Sequence, residues 1–332
     1  MALIGITSEN DFYSHHYLTE LFVNDLRDVL GNWDSAEKAA REAEKIAREK
    51  GENPEAGYRA PYTKLQSYSG KYFSDLNVAQ HETKAAKRLV NQRTRFTPIF
   101  EALGFENESN GQMFEPQFAV LENGYLPVLK QINHSDGTPL LWVVEAHDLE
   151  SDRCIDPLAL GLLKEQLVGE ELDDKARKAL QVNDKGEEFT WQDIGSKYIF
   201  NQAEPPRFVV LLGNRQLVLL DRTKWAQNRI LRFDLDEIFG RREADTFKAM
   251  AALLHRESLC PHEGSSLLDN LDESSHKHAF AVSEDLKSAL RESIELLGDE
   301  AAAYLHENRA VIDGVRLSMT GEPQLDAKQL SL

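Results

Sequence analysis

Two residues whose types suit hydrolytic chemistry stand at the end of the most apolar run in the chain. The run is PLLWVVEA, residues 139–146; it contains Glu145, and His147 follows it. A carboxylate can hold Mg²⁺, which activates a water molecule and stabilises a leaving oxygen. A nearby histidine can take a proton from that water. Glu145 and His147 are therefore candidate catalytic residues, and Glu145 is a candidate metal ligand.

A second acidic ligand for such a metal ion has to come from a neighbouring strand. The Asp-Gly pair at residues 136–137 is a strong hairpin signal, and a two-residue turn there sets the apolar Val128 opposite Glu145. The turn aspartate lies about 30 Å along the strand, too far to share a metal ion. Acids on the preceding strand are Glu115 and Glu122, and we take Glu122 as the further catalytic residue and metal ligand of an active site.

Basic side chains gather in two stretches of the chain. The first stretch contains Lys84, Lys87, Arg88, Arg93 and Arg95. The second contains Arg215, Arg222, Lys224, Arg229, Arg232, Arg241 and Arg242. Its members up to Arg232, together with Trp225 among them, are the candidate DNA contact. Guanidinium groups suit phosphate contacts. Pairing with local acids is the alternative that the overall charge favours.

The composition is that of an acidic globular protein. Lys and Arg number 38 against 56 Asp and Glu in 332 residues, a formal net charge of −18. Such a chain is a poor non-specific binder of nucleic acid unless it carries a local basic patch. Two distant cysteines, Cys154 and Cys260, favour a reducing cytoplasm over a disulfide framework. The absence of a long apolar run and of a signal-peptide pattern excludes a membrane partner.

Helical and strand patterns alternate in an order that predicts an α/β (α+β) fold. Residues 9–31, 34–50 and 75–103 have helical spacing, and hairpins follow around Asn123-Gly124 and Gly213-Asn214. The run at 139–146 is apolar on both faces, which places it inside a mixed sheet. Helices flank that sheet on the N-terminal and C-terminal sides.

Three segments follow from these patterns. Residues 1–74 form an N-terminal helical segment, and residues 75–240 form the α/β core with a charged insertion at about 150–190 over one sheet edge. Residues 241–332 form a C-terminal helical region, in which Ser283 caps the start of a helix. Zinc ligation is a weaker reading of His255, Cys260, His262, His276 and His278, because their spacing departs from that of structural zinc sites.

The order helix, hairpin, acid-ended strand, helix, hairpin over residues 96–235 resembles the core of the PD-(D/E)XK nuclease superfamily. In that pattern His147 stands where a lysine is expected, and Pro116-Gln117 stands where a Pro-Asp pair is expected. The resemblance therefore implies a nuclease-like core whose catalytic motif is degraded.

Longer runs resemble the N-terminal region of large bacterial DNA methyltransferases. They are LPVLKQINHSDGTPLLWVVEAHD, EPPRFVVLLGNRQLVLLDRTKW and, most specifically, SSHKHAFAVSEDLK. That family includes type IIG-like restriction-modification enzymes and the adenine-specific methyltransferases of DISARM-like phage-defence systems. The resemblance implies DNA, a downstream methyltransferase domain and defence-system subunits as partners.

The methyltransferase's own motifs are not found in this chain. The nearest string, Glu204-Pro205-Pro206-Arg207, lacks the Asn or Asp that bonds the target amine and the aromatic residue that stacks on a flipped adenine. We therefore expect no cofactor in this segment apart from Mg²⁺ if the nuclease is active. S-adenosylmethionine is expected in the missing downstream domain of the parent protein.

The leading interpretation is a degenerate nuclease-like module of such an enzyme, acting in DNA binding or in inter-domain docking. One alternative is an active Mg²⁺-dependent endonuclease domain of a fused restriction-modification enzyme. The other is an acidic protein-interaction platform that makes no DNA contact.

Overall fold

The structure is a computed structural model that describes residues 3–121, 124–149, 155–169, 172–182, 186 and 188–307. Glu122 and Cys154 lie outside the described residues. The chain divides into two compact units, Met1–Asp272 and Glu273–Leu332. Among the described helices, none is both long and apolar enough to span a membrane.

A six-stranded mixed sheet forms the centre of the first unit. Its order is β1-β8-β7-β6-β5-β4; β2 and β3 pair with each other in a separate two-stranded sheet. Neighbouring strands are antiparallel except β5 and β6, which run parallel. The strands are β1 Ile6–Glu9, β2 Gln117–Leu121, β3 Gly124–Val128, β4 Lys130–Asn133, β5 Pro139–Glu145, β6 Phe208–Leu212, β7 Gln216–Asp221 and β8 Ile230–Asp234.

Seven longer helices are described. They are α1 Arg27–Glu49, α2 Pro61–Gln80, α3 Ala85–Ala102, α4 Asp174–Gln181, α5 Leu235–Arg241, α6 Ala244–Leu254 and α7 Leu267–Glu307. Shorter helical turns lie at Tyr17–Leu21, Phe22–Asp25, Pro157–Ala159, Lys164–Gln166, Trp191–Ile194, Gly195–Ile199, Arg222–Trp225 and Arg256–Leu259.

The sheet is covered on both faces, which explains its apolar strands. One face, with Val143 and Val210, packs with aromatic and aliphatic side chains of α2, α3, α5 and α6. The other face, with Trp142 and Val209, packs against β2, β3 and the described parts of residues 155–200. The prediction that residues 139–146 lie inside a mixed sheet is confirmed, since β5 lies between β4 and β6.

The hairpin before Glu145 has the predicted register. Lys130 pairs with Val143 and Ile132 pairs with Leu141, and the register then shifts between Ile132 and Asn133. Val128 belongs to the neighbouring sheet, where its partner is Gln117. The expectation that Val128 pairs with Glu145 was therefore wrong, because the chain leaves the large sheet between β4 and β3.

Three other expectations differ from the structure. The helical stretch at 75–103 is interrupted between α2 and α3. The described parts of the charged segment at 150–190 cover a sheet face rather than an edge, because the leucines at 158, 162 and 167 are buried there. Helix α7 begins at Leu267, well before Ser283, whose hydroxyl donates to the carbonyl of Ala279.

Candidate functional site at the end of strand β5

Glu145 is held by an arginine from helix α3. Its carboxylate is 3% exposed and accepts hydrogen bonds from Arg93, whose Nε lies 3.1 Å from both carboxylate oxygens and whose Nη2 also contacts Oε1. Burial raises the pKa of Glu145, and the Arg93 hydrogen bonds and charge oppose that rise. The guanidinium thus engages the oxygens that a metal ion would need.

His147, two residues after Glu145, is held by Gln92, the residue that precedes Arg93 in helix α3. Gln92 donates from Nε2 to the carbonyl of Ala146 at 3.0 Å, which turns its Oε1 towards His147 Nδ1 at 2.6 Å. Nδ1 must therefore carry the proton, and Nε2 keeps its lone pair. Burial first, and then the charges of Arg95 and Arg88, lower the pKa of His147 to about 4.

A neutral imidazole is a poor replacement for the lysine of a nuclease motif, since it brings no positive charge at neutral pH. Its Nε2 is buried and has no hydrogen-bond partner among the described residues, so the lone pair of this nitrogen is not engaged by them. His147 can therefore accept a proton or a hydrogen bond from a molecule that enters beside it.

A cavity of about 100 Å³ adjoins Glu145 and Arg93. Gln117, at the position expected to hold an acid, lines it, as does Glu165. Glu165 was missed in the sequence because it lies in a charged segment with no spacing that ties it to Glu145. Among the residues that the structure describes, no group of three or more His, Cys, Asp or Glu side chains could hold a metal ion.

Two of the predicted DNA contacts are buried. Lys224 donates to the carbonyl of Phe12 at 2.9 Å and forms an ion pair with Asp272. The indole of Trp225 donates to the hydroxyl of Ser196 at 3.1 Å. Both side chains are more than nine-tenths buried, so their observed contacts lie within the fold.

The other predicted DNA contacts are divided between paired and exposed positions. Arg232 bridges Glu9 at 2.7 Å and Asp156 at 2.8 Å, and Arg215 pairs with Asp236 at 2.6 Å. The exposed Arg222 donates to the carbonyl of Pro205, and Arg229 is half-buried. Arg222 is the exposed member of the set, whereas Arg229 is half-buried like Arg215 and Arg232.

Two of the residues considered for zinc, the half-buried His255 and the buried Cys260, have surroundings that do not favour a metal site. His255 Nδ1 accepts a hydrogen bond from the amide of Glu257, and its ring packs against Trp33. Burial raises the pKa of the Cys260 thiol to about 12, so the thiolate that zinc prefers is disfavoured there.

Comparison of the chain with protein-family models, with curated proteins and with solved structures finds no match. The functional argument therefore depends on the residues and their geometry.

Proposed function

We propose that this chain is a nuclease-like, non-cutting module of a DNA-modifying restriction or phage-defence enzyme, and that it docks another part of that enzyme. The order of α3, the β4–β5 hairpin and the β6–β7 hairpin supports the nuclease-like part of the proposal. The parallel pairing of β5 with β6 fits the same order.

The non-cutting part is supported by the ion pair at the end of β5. Arg93 donates to both oxygens of Glu145, and the neutral His147 stands in place of a cationic lysine. Replacing the half-buried guanidinium by a metal ion would require Arg93 to leave a carboxylate that is almost fully shielded from water.

The docking part rests on one observation, an exposed apolar stripe along the portion of α7 beyond Asp272. The stripe runs over about five helical turns on one side of the helix. It consists of Leu286, Leu290, Ile294, Leu297 and Tyr304, which are between 43% and 72% exposed. A continuous exposed apolar surface of this kind marks an interaction site.

The side chains around the stripe indicate the chemistry of its partner. Acidic residues outnumber basic ones in this part of the helix and include Glu292, Glu295, Asp299 and Glu300. An amphipathic helix with such flanks fits an apolar groove that has a basic rim. We assign that groove to the methyltransferase part of the enzyme, the partner that the sequence resemblance implies.

The test is calorimetric titration of the whole chain with a purified adenine-specific methyltransferase polypeptide of the type IIG-like class. The triple variant L286S/L290S/L297S should weaken binding by roughly a hundredfold or more, because three anchors of the apolar face are lost. The matched control is V78S/V90S, which alters two exposed apolar side chains of the other unit and should bind as the wild type.

Two outcomes would overturn the docking proposal. One is no binding by the wild-type chain, or equal binding by the triple variant and the control. The other is a concentration-dependent dimer in light scattering that the triple variant alone abolishes, because the stripe would then be covered by a second copy.

A further inference from the structure

A groove of about 580 Å³ runs beside strand β2. Four consecutive residues of the strand, 117–120, line it together with Trp142 of β5 and residues 202–204. Because successive side chains of a strand point to opposite faces, a groove that touches all four follows the edge of β2 and not one of its faces. Among the described strands β3 alone pairs with β2, so the groove lies along the edge that β3 leaves open.

The register of the β2–β3 hairpin shows which backbone groups face this groove. Pairs along an antiparallel ladder alternate between hydrogen-bonded and non-hydrogen-bonded ones. Phe118 stands opposite Pro127, which has no amide hydrogen, so this pair fits the non-hydrogen-bonded kind. Glu115, an odd-numbered residue just before β2, donates its amide to the carbonyl of Leu129 on the β3 side. The amide and carbonyl groups of Phe118 and Val120 therefore point away from β3 and into the groove.

The edge of β2 lacks the protection that the other described strand edges have. Native proteins blunt an edge with proline, with charge, with an irregular register or by keeping the strand short. Strand β3 contains Pro127, the register of β4 shifts between Ile132 and Asn133, and the four-residue β1 is followed by two residues of positive φ. The five residues of β2 include no charge and no proline, and Val120 is 76% exposed. An open, apolar edge of this kind is a template for an added strand.

Trp142 provides a second, independent sign of an occupant. Its side chain lines the groove and is 3% exposed, and its indole Nε1 has no acceptor among the described residues. Buried polar atoms of folded proteins nearly always have a hydrogen-bond partner. A backbone carbonyl of a strand lying in the groove supplies the acceptor that this indole lacks.

The acidic residues beside β2 indicate the charge of the occupant. Glu204 lines the groove, and Glu165 lines the adjoining cavity at Glu145, which shares Gln117 with the groove. Both of these carboxylates are exposed, and no ion pair to them is found among the described residues. Arg93, the cation of the described linings, is already paired with Glu145. A segment with basic residues therefore complements this surface.

We propose that β2 binds an extended, basic segment of a partner polypeptide as an added strand. The outward backbone groups of Phe118 and Val120 bond to the backbone of the segment, and Trp142 donates to one of its carbonyls. Apolar side chains of the segment pack on Val120, and its lysines or arginines lie near Glu165 and Glu204. The paired part of the segment is about as long as β2 itself, which has five residues.

This inference does not rest on the docking proposal. Strand β2 lies within residues 1–272, whereas the apolar stripe of α7 lies beyond Asp272. A substitution in one surface leaves the other unchanged, so each proposal can fail without the other.

The probe is a synthetic seven-residue peptide, acetylated and amidated, in which three threonines alternate with two valines between terminal lysines. Calorimetric titration of the whole chain with this peptide should show one saturable site. The matched peptide has the same side chains but carries N-methyl groups on its five central amides. It should bind roughly tenfold more weakly or worse, because it cannot donate to the backbone of β2.

Variants of Val120 test the same edge from the protein side. Val120→Pro removes an outward amide while leaving the positions that bond to β3, and should weaken peptide binding roughly tenfold. Val120→Thr keeps the amide and the preference for a strand, so it is the matched control and should bind about as the wild type does.

Variants of Trp142 test the buried donor. Trp142→Phe should weaken peptide binding about fivefold through loss of one hydrogen bond. Trp191→Phe is the matched control, because the Nε1 of Trp191 is also buried without a partner but Trp191 lies outside the lining of the groove. It should leave peptide binding unchanged.

Hydrogen exchange in the wild-type chain keeps the test valid if a variant folds poorly. Saturating peptide should slow the exchange of the Phe118 and Val120 amides, which gain a partner. The amide of Ala119 should keep its exchange rate, because it already bonds to β3.

The proposal is overturned if the peptide does not bind, if the methylated and unmethylated peptides bind equally, or if Val120→Pro and Val120→Thr bind the peptide equally. A dimer in light scattering that Val120→Pro alone abolishes would also overturn it, because a second copy of β2 would then occupy the edge. Displacement of the peptide by an equal concentration of single-stranded DNA would assign the groove to nucleic acid instead.

Discussion

The end of strand β5 and the apolar stripe of α7 differ in the way they use their residues. At the end of β5, Glu145 and His147 have side chains of the kinds that act in catalysis. Arg93 binds Glu145, however, and Gln92 binds His147. On α7, leucines of ordinary type are exposed over several turns. Residue type thus suggests a site in the first region, whereas the exposure of apolar side chains suggests one in the second.

Removal of the Arg93 side chain is expected to have the largest effect on stability. Arg93→Ala leaves the Glu145 carboxylate buried without its cation, which should lower the free energy of unfolding by about 3–5 kcal/mol. Denaturant unfolding measures the loss. The double variant R93M/E145L should regain most of it, because no buried charge remains. Equal stability of the single variant and the wild type would mean that Glu145 is not held as described.

The same variant has a defined pH dependence. Without Arg93, burial is opposed only by the weaker influence of the Gln166 hydrogen bond, so the native pKa of Glu145 lies above the unfolded value. The native state then binds a proton that the unfolded state does not, and stability increases as the pH falls through the native pKa. The difference in the free energy of unfolding between the wild type and Arg93→Ala should therefore become smaller as the pH falls from 7 to 5. A constant deficit would contradict the assignment.

The next largest effect is the contribution of His147 to the pH dependence of stability. Its native pKa of about 4 lies below the usual 6.5, so the unfolded state binds more protons between these values. Stability from this group is present above pH 6.5 and is lost as the pH falls towards 4. His147→Gln should flatten that slope by up to about 1.4 kcal/mol per pH unit. His255→Gln should do the same, because burial lowers the pKa of His255 to about 4 as well.

The smallest effect on stability is expected for substitutions in the apolar stripe of α7. Leu286→Ser, Leu290→Ser and Leu297→Ser alter exposed side chains and should each change the free energy of unfolding by at most about 0.5 kcal/mol. Circular dichroism and thermal unfolding check this. A cooperative loss of structure in the triple variant would show that these leucines are needed for folding rather than for docking.

Local signals in the sequence predicted the hairpins well. The Asp136-Gly137 pair located the β4–β5 turn, but the predicted two-residue turn was wrong. His134 and Thr138 close a three-residue loop, and the register shift between Ile132 and Asn133 restores the predicted pairing along β4 and β5. The helical stretch predicted at 75–103 ends where Gly104 follows α3 with a φ of +81°, a conformation that glycine adopts without strain.

Signals that depend on distant parts of the chain were missed or misread. Strand β1 is four residues long and forms because β8, more than 200 residues later, offers an edge. The start of α7 was placed near Ser283, since a serine followed by acids looks like a helix cap. Burial of Leu268 and Leu271 instead extends the helix back to Leu267.

The candidate site at the end of β5 could likewise be predicted only in part from the sequence. The sequence identified Glu145 and His147 but not their partners, because pairing with Arg93 and Gln92 depends on which face of α3 turns towards the sheet. It also selected Lys224 and Trp225 for DNA contact by residue type, and both are buried. Residue type alone does not report the accessibility of a side chain, which is set by tertiary packing.

The central claim, that the end of β5 is an internal ion pair and not a nuclease centre, is tested most directly by plasmid cleavage. Supercoiled plasmid is incubated with the wild-type chain and with Glu145→Gln, each verified as folded, in Mg²⁺ and in Mn²⁺. We expect neither protein to nick or linearise the plasmid. Cleavage by the wild type that is lost in Glu145→Gln would contradict the account.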